Sequence, residues 1–431
     1  MSTKSLTEVS QDALLRQLGE DTENIKSIFS CGGSVALKPN QLCLFYKTAD
    51  NAQTSKKAQS SKKVQNPKQA QVLEFPCTDE HLEPLLKACT PATFGHGKKT
   101  VLDLSYRDAL HLATDSFSLN FHPVQYGILE EIRKYMTPNH AVILPELYKL
   151  NVYGPGGHFK AHVDTPRGKG MFGSLVVCLP TKHQGGQLVV RHDRTENVFD
   201  WSSDPSTAAD AENSDLGVHW AAFFADCEHE IFPVKSGYRI TLTYNLYSLA
   251  EDTEDTQTTS GFQPESLPLY KTLSEAIVYP GFMLKGGTLG FGLRHAYPLT
   301  TGDFQDQYQT MLKGCDATLC IVAEKLGLDV EIVPVYETED LNGRSQRLIG
   351  DTFTSGRIGD MEDDRSEFNI IQEDCGGTQR KDIIWCVGPR NSVVANTYIA
   401  YGNEATLHEI YVMGGLLITI PAWGKKCRAT T

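Results

Sequence analysis

Short apolar segments follow one another between residues 146 and 246, and no helical pattern interrupts them. Glycine and proline mark the turns, most densely at Gly154-Pro155-Gly156-Gly157 and at Gly185-Gly186. A run of short strands with glycine-rich turns is typical of a β-sandwich or barrel and argues against alternating helices and strands. The predicted strands cover residues 146–153, 172–179, 187–191, 219–224 and 239–246.

The first of these strands has a clear two-residue period. Tyr148, Leu150 and Val152 are predicted on one face, and Lys149, Asn151 and Tyr153 on the other, because successive side chains of a strand point to opposite faces. Elsewhere, apolar spacing predicts helices over residues 78–89, 123–135 and 317–326 and strands over residues 41–46 and 414–421.

Three polar segments divide the chain. Residues 48–71 are rich in Lys, Gln and Ser and have almost nothing to bury, so we expect a disordered loop there. Residues 202–217 are expected to form a surface loop, and the acidic, Thr-rich residues 250–261 a domain boundary. This division predicts an N-terminal region over residues 1–100, a mainly β core with flanking helices over residues 101–250, and a C-terminal α+β region over residues 262–431.

Charge and cysteine content limit the partners and the compartment. The 40 basic and 53 acidic residues give a net charge of −13, which argues against nucleic acid as a partner. No apolar run is long enough to span a membrane, and the first residues lack the apolar stretch of a secretory signal. The 11 cysteines are scattered, without a C-x-x-C pair. We therefore expect a cytoplasmic protein; the lysine pairs in residues 56–63 leave a nuclear location as the alternative.

The residues with the clearest chemistry lie at residues 162–164. On a strand, His162 and Asp164 point to the same face, so an imidazole and a carboxylate can bind one metal ion side by side. His229 is the candidate for a third ligand, which would leave three coordination positions open. Further along the chain, Arg239 and Thr241 also share a face, so that a guanidinium and a hydroxyl can bind one carboxylate together.

The pattern of these residues resembles that of the Fe(II)/2-oxoglutarate-dependent dioxygenases. The resemblance is to the prolyl-4-hydroxylase-like branch and its uncharacterised, mainly fungal members. The resemblance covers about residues 145–247 and includes the Gly-Gly-x-Leu motif at residues 185–188. It implies a double-stranded β-helix core of the jelly-roll or cupin type, with His162, Asp164 and His229 as iron ligands and catalytic centre. Flanking segments at Ser105-Tyr106-Arg107 and Tyr401-Gly402-Asn403-Glu404 also resemble such members, without a chemical role that we can assign.

The resemblance further implies the cofactors. Arg239 would form the salt bridge to the distal carboxylate of 2-oxoglutarate, with Thr241 beside it, and Tyr153 matches a tyrosine that hydrogen-bonds the cosubstrate in some members. The expected cofactors are Fe(II), 2-oxoglutarate and O2, and ascorbate could support turnover. Decarboxylation of 2-oxoglutarate to succinate and CO2 would be coupled to oxidation of a substrate C–H bond, most often hydroxylation.

The substrate is less constrained by the sequence. Arg167, Arg191 and His158 lie near the expected mouth of the pocket and are candidates for substrate recognition. We expect a free amino acid or small metabolite. A protein side chain, as in prolyl hydroxylation, is one alternative, and a non-catalytic sensor or interaction module that binds metal and 2-oxoglutarate is another. For the C-terminal region, structural, substrate-shaping and degenerate β-helix roles stay open, as does the oligomeric state.

Overall fold

The computed structural model describes residues 11–25, 28–37, 42–48, 70–96, 99–137, 142–165, 167–168, 170–202, 216–249, 264–299, 312–339, 344–351, 367–389, 410–412 and 414–428. The predictions for residues 250–261 and 401–404 lie outside these residues, as does most of what we predict for residues 48–71 and 202–217.

The described residues form six α-helices and twenty-six strands. The helices are α1 (Gln11–Glu23), α2 (Asp79–Ala88), α3 (Ile128–Met136), α4 (Pro268–Val278), α5 (Gly314–Lys325) and α6 (Glu367–Asp374). Short 3-10 helices cover Pro123–Tyr126, Pro264–Ser266 and Lys426–Arg428. The strands of the first half are β1 (Ser30–Leu37), β2 (Cys43–Lys47), β3 (Ala70–Glu74), β4 (Thr90–Pro91), β5 (Phe94–His96), β6 (Lys99–Val101), β7 (Arg107–Asp108), β8 (Leu110–Ala113), β9 (Phe117–Leu119), β10 (Val142–Tyr153), β11 (His158–His162), β12 (Met171–Cys178), β13 (His183–Gly185), β14 (Leu188–His192) and β15 (Thr195–Phe199). Those of the second half are β16 (Leu216–Phe224), β17 (Glu228–Ile231), β18 (Val234–Gly237), β19 (Arg239–Leu249), β20 (Gly287–Gly292), β21 (Tyr297–Leu299), β22 (Asp329–Glu339), β23 (Ser345–Ile349), β24 (Ile383–Val387), β25 (Ile410–Val412) and β26 (Gly414–Ile420).

Two antiparallel sheets form the core. The larger has the order β1-β16-β12-β19-β10-β8-β4, and the smaller has the order β15-β14-β17-β11-β7. Strands from both sheets line one cavity, so the sheets face each other. This is the double-stranded β-helix that the sequence predicts, and the five predicted strands of residues 146–246 lie in β10, β12, β14, β16 and β19.

Strand β10 departs from the predicted alternation at one point. Leu150 and Val152 are buried away from the cavity, whereas Lys149, Asn151 and Tyr153 line it, as the two-residue period predicts. Tyr148 lines the cavity as well, so its predicted place beside Leu150 and Val152 is wrong. The cause is a register shift between Leu147 and Lys149 against β19, because a bulge turns two successive side chains toward the same face.

The outer face of the larger sheet is also covered, which explains why every residue of β12 is buried. Helix α3 and the sheet β3-β2-β9 contribute side chains to the same apolar core as β12, among them Ile132 and Leu44. Burial on both faces is the reason that this strand, apart from Ser174, is apolar and lacks the alternation seen in β10.

The C-terminal region has its own sheet, with the order β23-β22-β26-β20-β24 and a parallel pair formed by β20 and β24. Helices α4 and α5 pack on it, and the N-terminal α1 joins the same core through Leu14 and Leu18. Strand β1 instead pairs with β16 of the larger core sheet. The N-terminal segment thus reaches both parts of the protein, and the predicted domain bounds stay predictions. Among the described residues, no helix has the length and apolar character needed to cross a membrane.

Candidate metal and cosubstrate site

A cavity of about 520 Å³, open to solvent on one side, lies between the two core sheets. The larger sheet supplies Tyr148, Lys149, Asn151, Tyr153, Ser174, Val176, Phe223, Arg239, Thr241 and Thr243; the smaller sheet and the segment after β11 supply Arg107, Phe159, His162, Asp164, Leu188, His229 and Ile231.

Three predicted ligands converge in this cavity. His162 ends β11 and faces His229 of β17 directly across the two strands, with the ring centroids 4.2 Å apart. Asp164 follows two residues after His162, and its Oδ1 lies 3.7 Å from His229 Nε2. Ligand atoms of the three residues all lie within 4.8 Å of one another. All three side chains are buried, so an ion held here would be shielded from bulk water.

Backbone carbonyls orient both histidines. His162 Nδ1 lies 2.8 Å from the carbonyl oxygen of Lys160, and His229 Nδ1 lies 3.0 Å from that of Cys227. A proton on each Nδ1 leaves Nε2 with its lone pair free for a metal. Burial, together with the neighbouring His229, lowers the pKa of His162 well below its usual value and keeps the ring neutral. Ser174 donates a hydrogen bond to Asp164 Oδ2 and fixes that carboxylate.

Arg239 is the most unusual residue of the cavity. It begins β19 and is 0% exposed, yet none of its three guanidinium nitrogens has a hydrogen-bond partner within the described residues. Its guanidinium carbon lies 5.6 Å from the ring of Tyr153, the residue opposite it on β10, and 5.3 Å from the ring of Trp201. A buried cation that lacks a partner among the described residues is costly, so this guanidinium is suited to bind an anion in the cavity.

The other two predicted cosubstrate residues lie on the same side of the cavity. Tyr153 and Thr241 are both buried and both line it. Thr241 follows Arg239 at the two-residue spacing of β19, so the hydroxyl and the guanidinium share a face as predicted.

The Gly-Gly-x-Leu motif packs against the same arginine. Gly186 has φ +71°, and a Cβ atom there would lie 2.9 Å from Arg239 Cδ and 2.9 Å from Val234 Cγ2. Gly185 has φ +72°, and its Cβ would lie 2.5 Å from the carbonyl oxygen of Pro233. Only glycine fits both the left-handed backbone and the close approach, so the motif leaves space for Arg239.

The three candidate substrate residues differ in position. Arg167 donates a 2.8 Å hydrogen bond to the Tyr148 hydroxyl at the edge of the cavity. Arg191 does not line the cavity, because its guanidinium pairs with Glu196, Glu228 and Glu230. His158 does not line it either, since both ring nitrogens contact backbone carbonyls of the surrounding turns.

Several cavity residues have no role in the sequence analysis, among them Arg107, Tyr148, Lys149 and Ser174. Lys149 could have been found, since it shares a strand face with Asn151 and Tyr153. Arg107 lies in a segment that resembles family members, but its place beside Phe159 depends on pairing between β7 and β11, which no local pattern shows.

A second group of possible metal ligands consists of His192, Asp226 and His295. Here Lys313 Nζ lies 2.9 Å from Asp226 Oδ1. A buried ammonium on the same carboxylate repels a metal cation. We therefore assign this group to an ion-pair cluster that joins the core to the C-terminal region.

Comparison with known proteins agrees with this geometry. A family model described as 2OG-Fe(II) oxygenase superfamily matches residues 148–247, which contain all three converging ligands and Arg239. The core belongs to this superfamily. The matched residues therefore form a dioxygenase core of the superfamily that uses Fe(II), 2-oxoglutarate and O2. No curated protein matches the sequence.

Several solved structures are similar over part of the chain. A Pseudomonas putida prolyl-4-hydroxylase is 16% identical, with a TM-score of 0.25, over 40% of this chain and 83% of its own. A Trichoplax adhaerens prolyl hydroxylase, solved with a hypoxia inducible factor peptide fragment, is 16% identical, with a TM-score of 0.25, over 36% and 70%. A Burkholderia pseudomallei 2OG-Fe(II) oxygenase family protein is 18% identical, with a TM-score of 0.23, over 37% and 72%. That the relatives are mainly fungal stays a prediction.

The residues present fit the family's cofactors. Two imidazoles and one carboxylate on one side of an ion form the donor set that non-haem Fe(II) oxygenases use. In the same cavity, Arg239 supplies a buried cation that has no hydrogen-bond partner in the described part of the chain, as a dicarboxylate requires.

Proposed function

We propose that His162, Asp164 and His229 hold Fe(II) and that Arg239, with Thr241 and Tyr153, holds 2-oxoglutarate, so that the enzyme oxidises a C–H bond of a small substrate. The observation that carries this proposal is the buried guanidinium of Arg239, without a hydrogen-bond partner among the described residues, in one cavity with three converging ligands. When bound, iron and 2-oxoglutarate supply the oxidising chemistry, with O2 as oxidant and succinate and CO2 as by-products.

The chain's own residues set geometry and exclude water. Lys160 and Cys227 orient the imidazoles through their carbonyl oxygens, and Ser174 holds the carboxylate of Asp164. Fixed ligands at low exposure position the substrate C–H bond and limit side reactions with solvent.

We further propose an amino acid or small metabolite as the substrate and hydroxylation as the outcome. The cavity lies between the two core sheets and must hold the cosubstrate as well, which favours a small molecule over a folded protein surface. Hydroxylation of a prolyl or other side chain in a flexible peptide is the second candidate, because the cavity is open on one side. A cytoplasmic location is part of the proposal, supported by 11 cysteines that are all free thiols.

The test is succinate production from 2-oxoglutarate by the Fe(II)-loaded enzyme with amino acids, other metabolites and proline-containing peptides. Wild type should form succinate, and a true substrate should increase its rate and gain one oxygen atom by mass. His162→Ala and Asp164→Ala should abolish turnover, whereas the control variant His158→Ala, outside the cavity, should retain it. Activity in both cavity variants would refute the assignment, and 2-oxoglutarate binding without turnover would indicate the sensor alternative.

A further inference from the structure

The turn between β16 and β17 is bound by the C-terminal region. Asp226 lies at the centre of this turn, and its Oδ1 lies 2.9 Å from the ammonium of Lys313. Its Oδ2 accepts a 3.0 Å hydrogen bond from the backbone nitrogen of Ala296 and lies 3.1 Å from His295 Nδ1. Residues outside the core therefore hold both carboxylate oxygens of a core turn.

The C-terminal residues that make these contacts are themselves fixed. Lys313 donates a second hydrogen bond of 2.9 Å, to the carbonyl oxygen of Ala296. Asp316, in the first turn of α5, accepts hydrogen bonds of 3.0 Å from the backbone nitrogen of His295 and 2.8 Å from the Tyr297 hydroxyl. The start of α5 and the segment before β21 thus form one hydrogen-bonded unit.

The same unit binds the neighbouring turn of the smaller core sheet, between β14 and β15. There, Asp193 accepts a hydrogen bond from Arg294, and the ring of His192 stacks on that of His295, with the centroids 4.2 Å apart. Because β14 and β17 pair antiparallel, the end of β14 lies beside the start of β17. The C-terminal region therefore holds the end of the sheet at which β17 begins.

The turn at Asp226 also sets the orientation of His229. Cys227 directly follows Asp226, and its carbonyl oxygen lies 3.0 Å from His229 Nδ1. The backbone nitrogen of Cys227 donates a 3.0 Å hydrogen bond to the carbonyl oxygen of Phe224, which closes the turn. Since each residue has only two soft backbone dihedrals, a shift of Asp226 moves the Cys227 carbonyl and removes the partner that orients the ring.

The other histidine of the metal site is oriented from within the core. His162 Nδ1 lies 2.8 Å from the carbonyl oxygen of Lys160, which belongs to the same strand, β11. The backbone nitrogen of Lys160 donates a 3.0 Å hydrogen bond to the carbonyl oxygen of Tyr106, also in the core. Loss of the contacts at Asp226 should therefore affect His229 and spare His162.

We propose that Lys313 and His295 are positioning residues of the metal site, because they hold Asp226 and thereby fix the Cys227 carbonyl that orients His229. This inference rests on the proposed function, since it takes His229 as a metal ligand. It assigns the C-terminal region a part in the chemistry of the core. Without these contacts the hydrogen bond at His229 Nδ1 is lost, the ring leaves its alignment, and metal affinity falls.

Proton NMR of the full chain, loaded with Co(II) in place of Fe(II), tests this proposal. Paramagnetic Co(II) shifts the Nδ1 protons of its histidine ligands far outside the usual range, and a hydrogen bond slows their exchange with water, so that each gives a signal. Wild type should show two such signals, from His162 and His229. In Lys313→Met one should disappear and the other remain, and the Kd for Co(II) should rise about tenfold or more, as is typical when the support of a metal ligand is lost.

Arg428→Met is the matched control for stability. Arg428 is also a buried cation of the C-terminal region, and it donates hydrogen bonds to five backbone carbonyl oxygens, all of them in residues 277–283 and 421. Its removal should destabilise the region without a direct effect on Asp226. Both variants are measured in the cold, where circular dichroism shows them folded, and the control should keep both signals and the Kd of wild type.

Retention of both signals, loss of both, or an unchanged Kd in Lys313→Met would overturn the proposal, as would the same changes in the control. If Lys313→Met does not fold, Asp226→Asn decides, because a lysine can lose its proton when its partner becomes neutral. Its Kd for Co(II) should rise at least about threefold, since charged hydrogen bonds become neutral ones, and a smaller rise would overturn the proposal. Wild type is measured first: failure of wild type to bind Co(II) would refute the proposed function itself.

Discussion

The ammonium of Lys313 lies 2.9 Å from Asp226 Oδ1, and the two side chains are only 1% and 4% exposed. Asp226 also accepts hydrogen bonds from the backbone nitrogen of Ala296 at 3.0 Å and contacts His295 Nδ1 at 3.1 Å. Burial raises the pKa of Asp226, but Lys313 and His295 outweigh that effect and hold the pKa well below its usual value. One core carboxylate is thereby bound by three residues of the C-terminal region.

Lys313→Met should therefore destabilise the protein strongly. It leaves the carboxylate of Asp226 buried without its cation, which typically costs about 3–5 kcal/mol of the free energy of unfolding. The matched control is Lys325→Met, because Lys325 pairs with Glu265 at 3.2 Å on the exposed surface and should change stability by no more than about 1 kcal/mol. Urea unfolding measures both, and equal losses would contradict the special role of the buried pair.

Removal of Arg239 should separate cosubstrate binding from metal binding. Arg239→Gln eliminates the buried cation but leaves the three ligands in place, so the Kd for 2-oxoglutarate should rise at least about thirtyfold, in line with loss of a buried charge partner. In thermal unfolding of the Mn(II)-loaded protein, 2-oxoglutarate should raise the Tm of wild type and not that of the variant. The control is Arg191→Gln, because Arg191 lies in a surface cluster of glutamates. A Tm rise in Arg239→Gln equal to that of wild type would refute the role of Arg239 in binding 2-oxoglutarate.

Gly186 should be required for Arg239 to bind 2-oxoglutarate. A methyl group in Gly186→Ala would lie 2.9 Å from Arg239 Cδ, so the guanidinium must shift, and 2-oxoglutarate affinity should fall while metal affinity persists. Gly156→Ala is matched in backbone strain, with φ +83°, but nothing lies within 4 Å of its Cβ. We expect only the common backbone penalty of about 1–2 kcal/mol in that control. If calorimetry finds the same 2-oxoglutarate affinity in both variants, the contact with Arg239 is unimportant.

Local patterns in the sequence were enough to predict the core strands and which polar residues share a strand face. The two-residue period places His162 with Asp164 and Arg239 with Thr241, because strand geometry alone determines which side chains share a face. The proximity of His229 to His162 depends on pairing between two distant strands, and the sequence analysis predicted it only through the family resemblance.

Long-range pairing explains what was missed. Arg107 reaches the cavity because β7 pairs with β11 and places Arg107 opposite Phe159. Tyr148 turns inward at a bulge in β10. Helix α1 packs in the C-terminal core, where Gly19 lies so close to the Cys386 carbonyl that a Cβ would be 2.6 Å from its oxygen. These placements depend on contacts between distant segments, which composition and periodicity do not report.

The central claim is that one cavity holds Fe(II) at His162, Asp164 and His229 and 2-oxoglutarate at Arg239. Anaerobic titration of the protein with Fe(II) and then with 2-oxoglutarate tests it most directly, because chelation of iron by the cosubstrate produces a weak charge-transfer band in the visible. We predict the band in wild type, its loss in His162→Ala through loss of iron, and a requirement for much more 2-oxoglutarate in Arg239→Gln. Iron binding by wild type without any such band would contradict the account.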